Sequence, residues 1–207
     1  MSSTAYFNDV AGQWDTMRQG FFSDAIQKKA FALAGLQAGT LAADVGAGTG
    51  FMTEGLRRRG VNVIAIDQSE AMLAEMRRKF GETQAIDFRL GTAERLPVDD
   101  GAVDYAFANM CLHHVDDPAG AIAEMRRILK PGGTLVITDL DAHRFDFLRT
   151  EHHDRWMGFE RGDIQQWFEA AGLQNVAVDC VGEHCCAESS CGSEQATISI
   201  FAAKGVR

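Results

Sequence analysis

The segment Asp44-Val45-Gly46-Ala47-Gly48-Thr49-Gly50 joins a short apolar run, Leu41-Ala42-Ala43-Asp44-Val45, to a helical stretch that opens at Phe51. Glycines let a backbone turn sharply and approach a ligand closely, and a helix start presents free N–H groups. The dinucleotide fingerprint Gly-x-Gly-x-x-Gly would require glycine at position 51, where this chain has Phe. The pattern is instead Asp-x-Gly-x-Gly-x-Gly. Its acid, two residues before the first glycine, accepts hydrogen bonds from an ammonium group or the loop and repels a pyrophosphate. A second acid, Asp67, ends the next apolar run, 67 − 50 = 17 residues after the last loop glycine. A carboxylate at a strand tip can bind both hydroxyls of a ribose. A tight strand-to-helix turn without a ligand is the plain alternative, and the spacing of Asp67 weighs against it.

Outward from this loop, residues 40–140 alternate strand-like runs with amphipathic helices. The runs after the first are Val61–Ile66, Ile86–Leu90, Val103–Phe107 and Thr134–Thr138. Phe51–Arg59, Glu70–Phe80 and Pro118–Leu129 carry apolar residues at helical spacing, such as Met72, Leu73 and Met76. Ser69 is placed to cap the second of these, and Lys130-Pro131-Gly132-Gly133 breaks the third. Such alternation builds a mostly parallel sheet with helices on both faces. Residues 4–36 read as helical throughout. After Leu140 come a His- and acid-rich segment, a helix near Gly162–Ala171, and two strands, Asn175–Val181 and Ala196–Ala203. The loop between those strands is rich in cysteine, and a pair so joined is expected to be antiparallel.

Composition narrows the possible functions. The 207 residues carry 20 Lys and Arg against 29 Asp and Glu, a net charge of −9. That balance argues against binding nucleic acid through its backbone. No apolar run reaches the roughly 20 residues of a membrane helix, and the first residues resemble no secretion signal. The expectation is one soluble, cytoplasmic domain over 1–207, with a helical lid at 1–39, a ligand-binding core at 40–140 and a C-terminal part at 141–207. The five cysteines form no Cys-x-x-Cys pair, and their odd number does not suggest a disulfide framework.

The loop, Asp67 and the runs around them resemble the class I S-adenosylmethionine-dependent methyltransferases, in particular the small-molecule branch typified by ubiquinone and menaquinone methyltransferases. Asp44–Gly50 resembles the family's first motif and Ile66–Leu73 its second. Gly91-Thr92-Ala93-Glu94-Arg95-Leu96-Pro97 resembles its adenine-edge loop. Asn109-Met110-Cys111-Leu112-His113-His114-Val115 resembles the segment after the fourth strand, and Arg127–Leu135 the stretch into the fifth. The resemblance implies a Rossmann-like seven-stranded sheet whose last strand is antiparallel, an N-terminal helical lid, and S-adenosylmethionine as cofactor.

It also implies roles for individual residues. Asp67, followed by Gln68 and Met72, would hold the ribose side. Asp44, Gly46, Ala47, Gly48 and Gly50 would pack along the methionine and ribose. Thr92, Ala93 and Glu94 would border the adenine, with Thr92 standing where the family usually has Asp. Asn109 would lie under the sulfonium. Tyr6, Trp14 and Arg18, in a stretch that resembles the lid, would close over the methionine end, Arg18 pairing with its carboxylate. Phe7 and Trp14 read equally well as core residues of a docked helix.

Methyl transfer by in-line displacement needs alignment, and a base only where the acceptor arrives protonated. His113 and His114, beyond the fourth strand, are candidates for that base, with a structural role as the alternative. No Asn/Asp-Pro-Pro-aromatic motif of amino-methylating DNA enzymes is present, which leaves a small-molecule acceptor. Asp139 and Asp141 lack a third ligand, so no metal centre is expected. A further alternative is thiol-linked metalloid chemistry. Cys185, Cys186 and Cys191 in the last loop, with Cys111 and His143, would then gather on the cofactor's rim. Residues 148–159 add weakly to this, since they resemble a stretch in methyltransferases joined to ArsR-type regulators. The other rivals are a nicotinamide oxidoreductase, disfavoured by Phe51, and a non-catalytic sensor of S-adenosylmethionine or a soft metal.

Overall fold

Strands buried on both faces need apolar residues at consecutive positions rather than at alternate ones. Such strands occur at β1 (Leu41–Val45), β2 (Asn62–Asp67), β4 (Val103–Asn109) and β5 (Leu129–Leu140), while β3 (Ile86–Leu90) is more exposed. The structure, a computed structural model, describes residues 3–81, 83–189, 192 and 194–207. Two further strands, β6 (Gln174–Glu188) and β7 (Gln195–Val206), complete one seven-stranded sheet in the order β3-β2-β1-β4-β5-β7-β6. Strands β1 to β5 pair in parallel, and β7 is antiparallel to both β5 and β6.

Alternate side chains feed two cores. Ala42, Val63, Ala65 and Phe107 pack on one face, and Ala43, Val45, Ile64 and Ile66 on the other. Helices α3 (Ala25–Ala34) and α4 (Phe51–Arg58) cover the first face, and α6 (Pro118–Ile128) and α8 (Arg161–Ala170) the second. Helix α5 (Glu70–Phe80) starts as expected at Ser69, whose Oγ accepts the Met72 N–H at 3.1 Å. The chain runs outward from β1 through β2 to β3, then returns to place β4 on the other side of β1. Their carboxyl ends therefore flank a topological switch point, where ligands bind in sheets of this kind.

Three expectations are corrected. The N-terminal stretch is broken into α1 (Ser3–Val10), a 3₁₀ turn, α2 (Trp14–Phe21) and α3, and the extended backbone of Phe22, with φ −159°, ends α2. The His- and acid-rich segment contains an additional short helix, α7 (Asp146–Glu151). Strand β6 does not stop near Val181. Its pairing with β7 shifts register between Cys180 and His184, around Gly182 at φ +82°, and resumes at His184 to run to Glu188. Cys185 and Cys186 thus belong to a strand rather than a loop. Among the described residues, no helix is long and apolar enough to cross a membrane.

Candidate functional site

The carboxyl ends of β1, β2 and β4 and the N-terminal helices enclose a cavity of about 570 Å³. At the tip of β1, Asp44 is buried and accepts the Thr53 hydroxyl at 2.6 Å. Burial pushes its carboxyl up to about 6, against the stabilising effect of that hydrogen bond. At the tip of β2, Asp67 Oδ2 accepts the Gly48 N–H and Oδ1 the Ser69 N–H, each at 2.8 Å. Asp67 therefore ties the glycine loop to the start of α5. Burial raises its carboxyl, opposed by these backbone donors. Gly46 at φ +67° and Gly48 at φ +56° hold conformations that side chains resist. A side chain on Gly46 would also collide with Cys111.

The N-terminal helices form the cavity's roof. Ser69 Oγ donates to Asn8 Oδ1 at 2.6 Å, and Thr49 Oγ1 donates to Asp15 Oδ1 at 2.6 Å. Trp14 passes over Gly48, with indole Nε1 3.5 Å from the place of a Gly48 Cβ. The Arg18 guanidinium stacks 4.1 Å from the Phe51 ring centroid, and its Nε is buried without a hydrogen-bond partner. Burial lowers its pKa, although Asp15, Asp24 and Glu54 oppose this.

Most residues singled out from the sequence meet here. Asp44, Gly46, Ala47, Gly48, Asp67 and Gln68 line the cavity. So do Met72, Thr92, Ala93, Glu94 and Asn109, together with Trp14, Arg18 and Cys111. Gly50 and Tyr6 are not on its walls. Gly50 instead abuts Phe80, 2.5 Å from the position of a Cβ, and serves the turn into α4.

A smaller cavity of about 50 Å³ adjoins the first and shares Phe7, Trp14, Phe22, Met110 and His114 with it. Tyr6, His113, Cys185 and Asp154 lie on its walls. His113 is buried, with Nδ1 2.6 Å from Asp139 Oδ1. Burial opposes its protonation, but Asp139 and Asp154 outweigh that and bring its pKa to about 9. His114 goes the other way. Burial first, then the neighbouring His113, hold it well below the usual imidazole range. Burial pushes the Cys185 thiol up to about 12 and that of Cys111 well above its ordinary value.

Among the described residues, the thiols form no cluster. Successive strand residues face opposite ways, so Cys185 is buried while Cys186 is exposed. Cys111 sits in the larger cavity, and Cys191 lies outside the described residues. His143 lines neither cavity; its Nδ1 accepts the Phe145 N–H at 3.4 Å. Sequence reasoning missed Asp154 and the left-handed Met110 (φ +50°). Asp154 lies far along the chain from His113 with no motif to connect them, and no glycine or other turn residue at position 110 signals a left-handed backbone.

A family model described as a methyltransferase domain matches residues 43–137. The chain is 32% identical over 156 residues to a demethylmenaquinone methyltransferase of Renibacterium salmoninarum, covering 74% of this chain and 65% of that protein. Residues 43–137 form a methyltransferase domain of the class I S-adenosylmethionine-dependent kind. It is also 46% identical over 92 residues to an uncharacterized methyltransferase of Mycobacterium tuberculosis. That match spans 44% of this chain and 36% of the relative, so the chain spans about a third of that relative's length. An S-adenosylmethionine-dependent methyltransferase of Aquifex aeolicus shares the fold, with a TM-score of 0.68 and 21% identity over 96% of this chain and 97% of that one.

The cavity fits the cofactor of this methyltransferase family. Its volume suits a small molecule, it carries carboxylates at two strand tips, and a buried guanidinium nitrogen on its wall has no partner.

Proposed function

We propose that this protein transfers a methyl group from S-adenosylmethionine to a small-molecule acceptor. The observation that carries the reading is the pair of adjoining cavities, the larger at the switch point and the smaller behind it, with Met110 and His114 on their common wall. When bound, S-adenosylmethionine supplies an electrophilic methyl group on a positively charged sulfur. Asp67 holds the ribose hydroxyls with the lone pairs that Gly48 and Ser69 leave free. Asp44 takes the ammonium group, and Arg18 pairs its orphaned Nε with the carboxylate. Gln68 and Met72 border the ribose side, Thr92, Ala93 and Glu94 the adenine, and Asn109 the reacting end.

The acceptor sits at the wall the two cavities share, with its reacting group beside Met110 and His114 and only part of it in the smaller cavity, whose volume of about 50 Å³ is less than the roughly 150 Å³ that holds a benzene ring. His113 and His114 border the smaller cavity and hold or take the proton of the acceptor's nucleophilic atom. The aromatic and aliphatic side chains around them exclude water, which favours a largely apolar acceptor such as a phenol or quinol. The same reading assigns the chain to the cytoplasm as one domain, with residues 1–39 as lid, and gives it no nucleic-acid partner. A second reading, thiol-linked metalloid methylation, draws on Cys185 in the smaller cavity.

The test is formation of S-adenosylhomocysteine from S-adenosylmethionine with a panel of quinols, phenols, amines and arsenite plus excess thiol. Turnover with a quinol or phenol supports the main reading. Turnover confined to arsenite and lost in Cys185→Ser selects the second. Tight cofactor binding without turnover on any acceptor overturns both in favour of a sensor.

A further inference from the structure

Behind the cofactor cavity the structure gathers a buried polar cluster that methyl transfer alone does not explain. Asp139 is fully buried. Its Oδ2 accepts the Leu112 N–H at 2.8 Å, and its Oδ1 accepts the Leu140 N–H at 2.8 Å and faces His113 Nδ1 at 2.6 Å. His114 Nδ1 lies 3.4 Å from the carbonyl oxygen of His153. Each ring therefore turns Nδ1 to an oxygen acceptor, and among the described residues neither Nε2 makes a hydrogen bond. His113 Nε2 faces Asp154 Oδ1 at 3.8 Å, too far for a hydrogen bond. Ligand atoms of His113, His114 and Asp154 all lie within 4.8 Å of one another.

We propose that His113, His114 and Asp154 form a binding site for a divalent transition metal, oriented by Asp139 and the His153 carbonyl. Two imidazoles and a carboxylate suit zinc, iron(II) or manganese better than calcium or magnesium, which take mainly oxygen ligands. An imidazole that ligates a metal through one nitrogen characteristically donates its other N–H to a carboxylate or backbone carbonyl, and both rings here have such a partner. Zinc–nitrogen and zinc–oxygen bonds are about 2 Å, so closing the three ligands around one ion needs side-chain movements on the order of 1 Å. Two buried carboxylates, Asp139 and Asp154, face one another across His113, a setting that suits a cation.

Three protein ligands leave a coordination position open, as in catalytic rather than structural zinc sites. His113, His114 and Asp154 all line the smaller cavity, together with Tyr6, Phe21 and Leu148. The class of molecule that fills the open position has an anionic or readily ionised oxygen, such as a phenolate, an enolate or a carboxylate. A metal-bound hydroxyl loses its proton more readily, which would present the oxygen as a nucleophile beside the cofactor cavity. This use of the site rests on the methyl transfer proposed above, with the metal taking over from the two imidazoles the task of promoting loss of the acceptor's proton. Metal binding itself does not depend on it.

The experiment treats the full chain with a chelator, removes the chelator, and titrates with Co²⁺ by visible absorption and with Zn²⁺ by calorimetry. S-adenosylhomocysteine binding is measured on the same samples as a check of folding and of the methyltransferase reading. The expected result is one ion per chain, with the visible d–d bands of a four- or five-coordinate site. Asp154→Asn should weaken Zn²⁺ roughly tenfold or more while cofactor binding is kept. His114→Gln, at a residue on the wall of the cofactor cavity, is read for metal alone and should weaken Zn²⁺ to a like degree. His184→Ala, at an exposed histidine on β6, should leave affinity unchanged. The proposal is overturned if wild-type protein that binds S-adenosylhomocysteine shows no saturable metal binding. It is equally overturned if metal affinity survives both site variants or depends on His184. Loss of cofactor binding with metal binding intact would sink the methyltransferase reading alone.

Discussion

The Cys111 side chain fills the space that a side chain on Gly46 would need, so the loop after β1 and the segment after β4 close against each other through one sulfur. Gly46→Ala meets two penalties there, a left-handed backbone at φ +67° and a collision with Cys111. The first costs on the order of 1 kcal/mol, and the collision adds more as the loop shifts. Gly46→Ala should lower the melting temperature by several degrees and reduce S-adenosylhomocysteine affinity at least tenfold. Adding Cys111→Ala should restore part of the stability and little of the affinity, because the backbone strain remains. Thermal melts and calorimetry on the single and double variants check this.

Arg18 tests the methionine end of the cavity. Its Nε is buried without a partner and its guanidinium lies on the Phe51 ring, so its position is set before any ligand arrives. Arg18→Met keeps the apolar stacking and removes the charge. The variant should bind S-adenosylhomocysteine 10- to 100-fold more weakly, the roughly 1.5–3 kcal/mol of a hydrogen bond to a charged group. It should bind methylthioadenosine as the wild type does, since that ligand has no carboxylate. Equal losses for both ligands would mean that Arg18 merely shapes the pocket.

Asp44 makes cofactor affinity depend on pH. Burial raises its carboxyl to about 6, so the free protein takes up a proton there as pH falls through that value. An ammonium group paired with Asp44 requires the ionised form. S-adenosylhomocysteine affinity should therefore be flat above pH 7 and fall as pH drops below about 6, approaching tenfold per unit. Stability of the free protein runs the opposite way. A carboxyl whose folded pKa is raised stabilises the fold most below the unfolded value of 3.8, and this contribution is lost as pH rises through about 6. Asp44→Asn should be more stable than the wild type at pH 8, abolish the pH dependence and bind the cofactor weakly throughout. Calorimetry and melts across pH 5–8 measure all three.

What could be read from the sequence followed the range of the interactions involved. The glycine loop, Asp67 and the Ser69 cap depend on residues a few positions apart, and the chain's spacing displays them. The mostly parallel sheet followed from strand–helix alternation, and its number of strands from the family resemblance. The His113–Asp139 contact joins residues 26 apart on different elements, and Asp154 reaches them from still farther along the chain. No periodicity encodes such a meeting. The cysteines show the converse failure. Their density suggested one cluster, but the pleat of β6 sends Cys185 inward and Cys186 out.

Ser69 links two functions that substitution can separate. Its hydroxyl caps α5 by accepting the Met72 N–H, and it latches the lid by donating to Asn8 Oδ1. Ser69→Ala removes both and should cost about 1 kcal/mol through the lost cap, visible as a fall in melting temperature. Asn8→Ala removes only the latch. It should leave the stability within about 0.5 kcal/mol of wild type, as expected for a site away from the core. Its effect should appear instead in the lid, as faster proteolytic cleavage within residues 3–21 and faster release of S-adenosylhomocysteine. Bound S-adenosylhomocysteine should slow that cleavage in the wild type, because Trp14 and Arg18 line its cavity from the same helix. Cleavage in Asn8→Ala at the wild-type rate would show that Thr49–Asp15 and the Trp14 contact hold the lid without the latch.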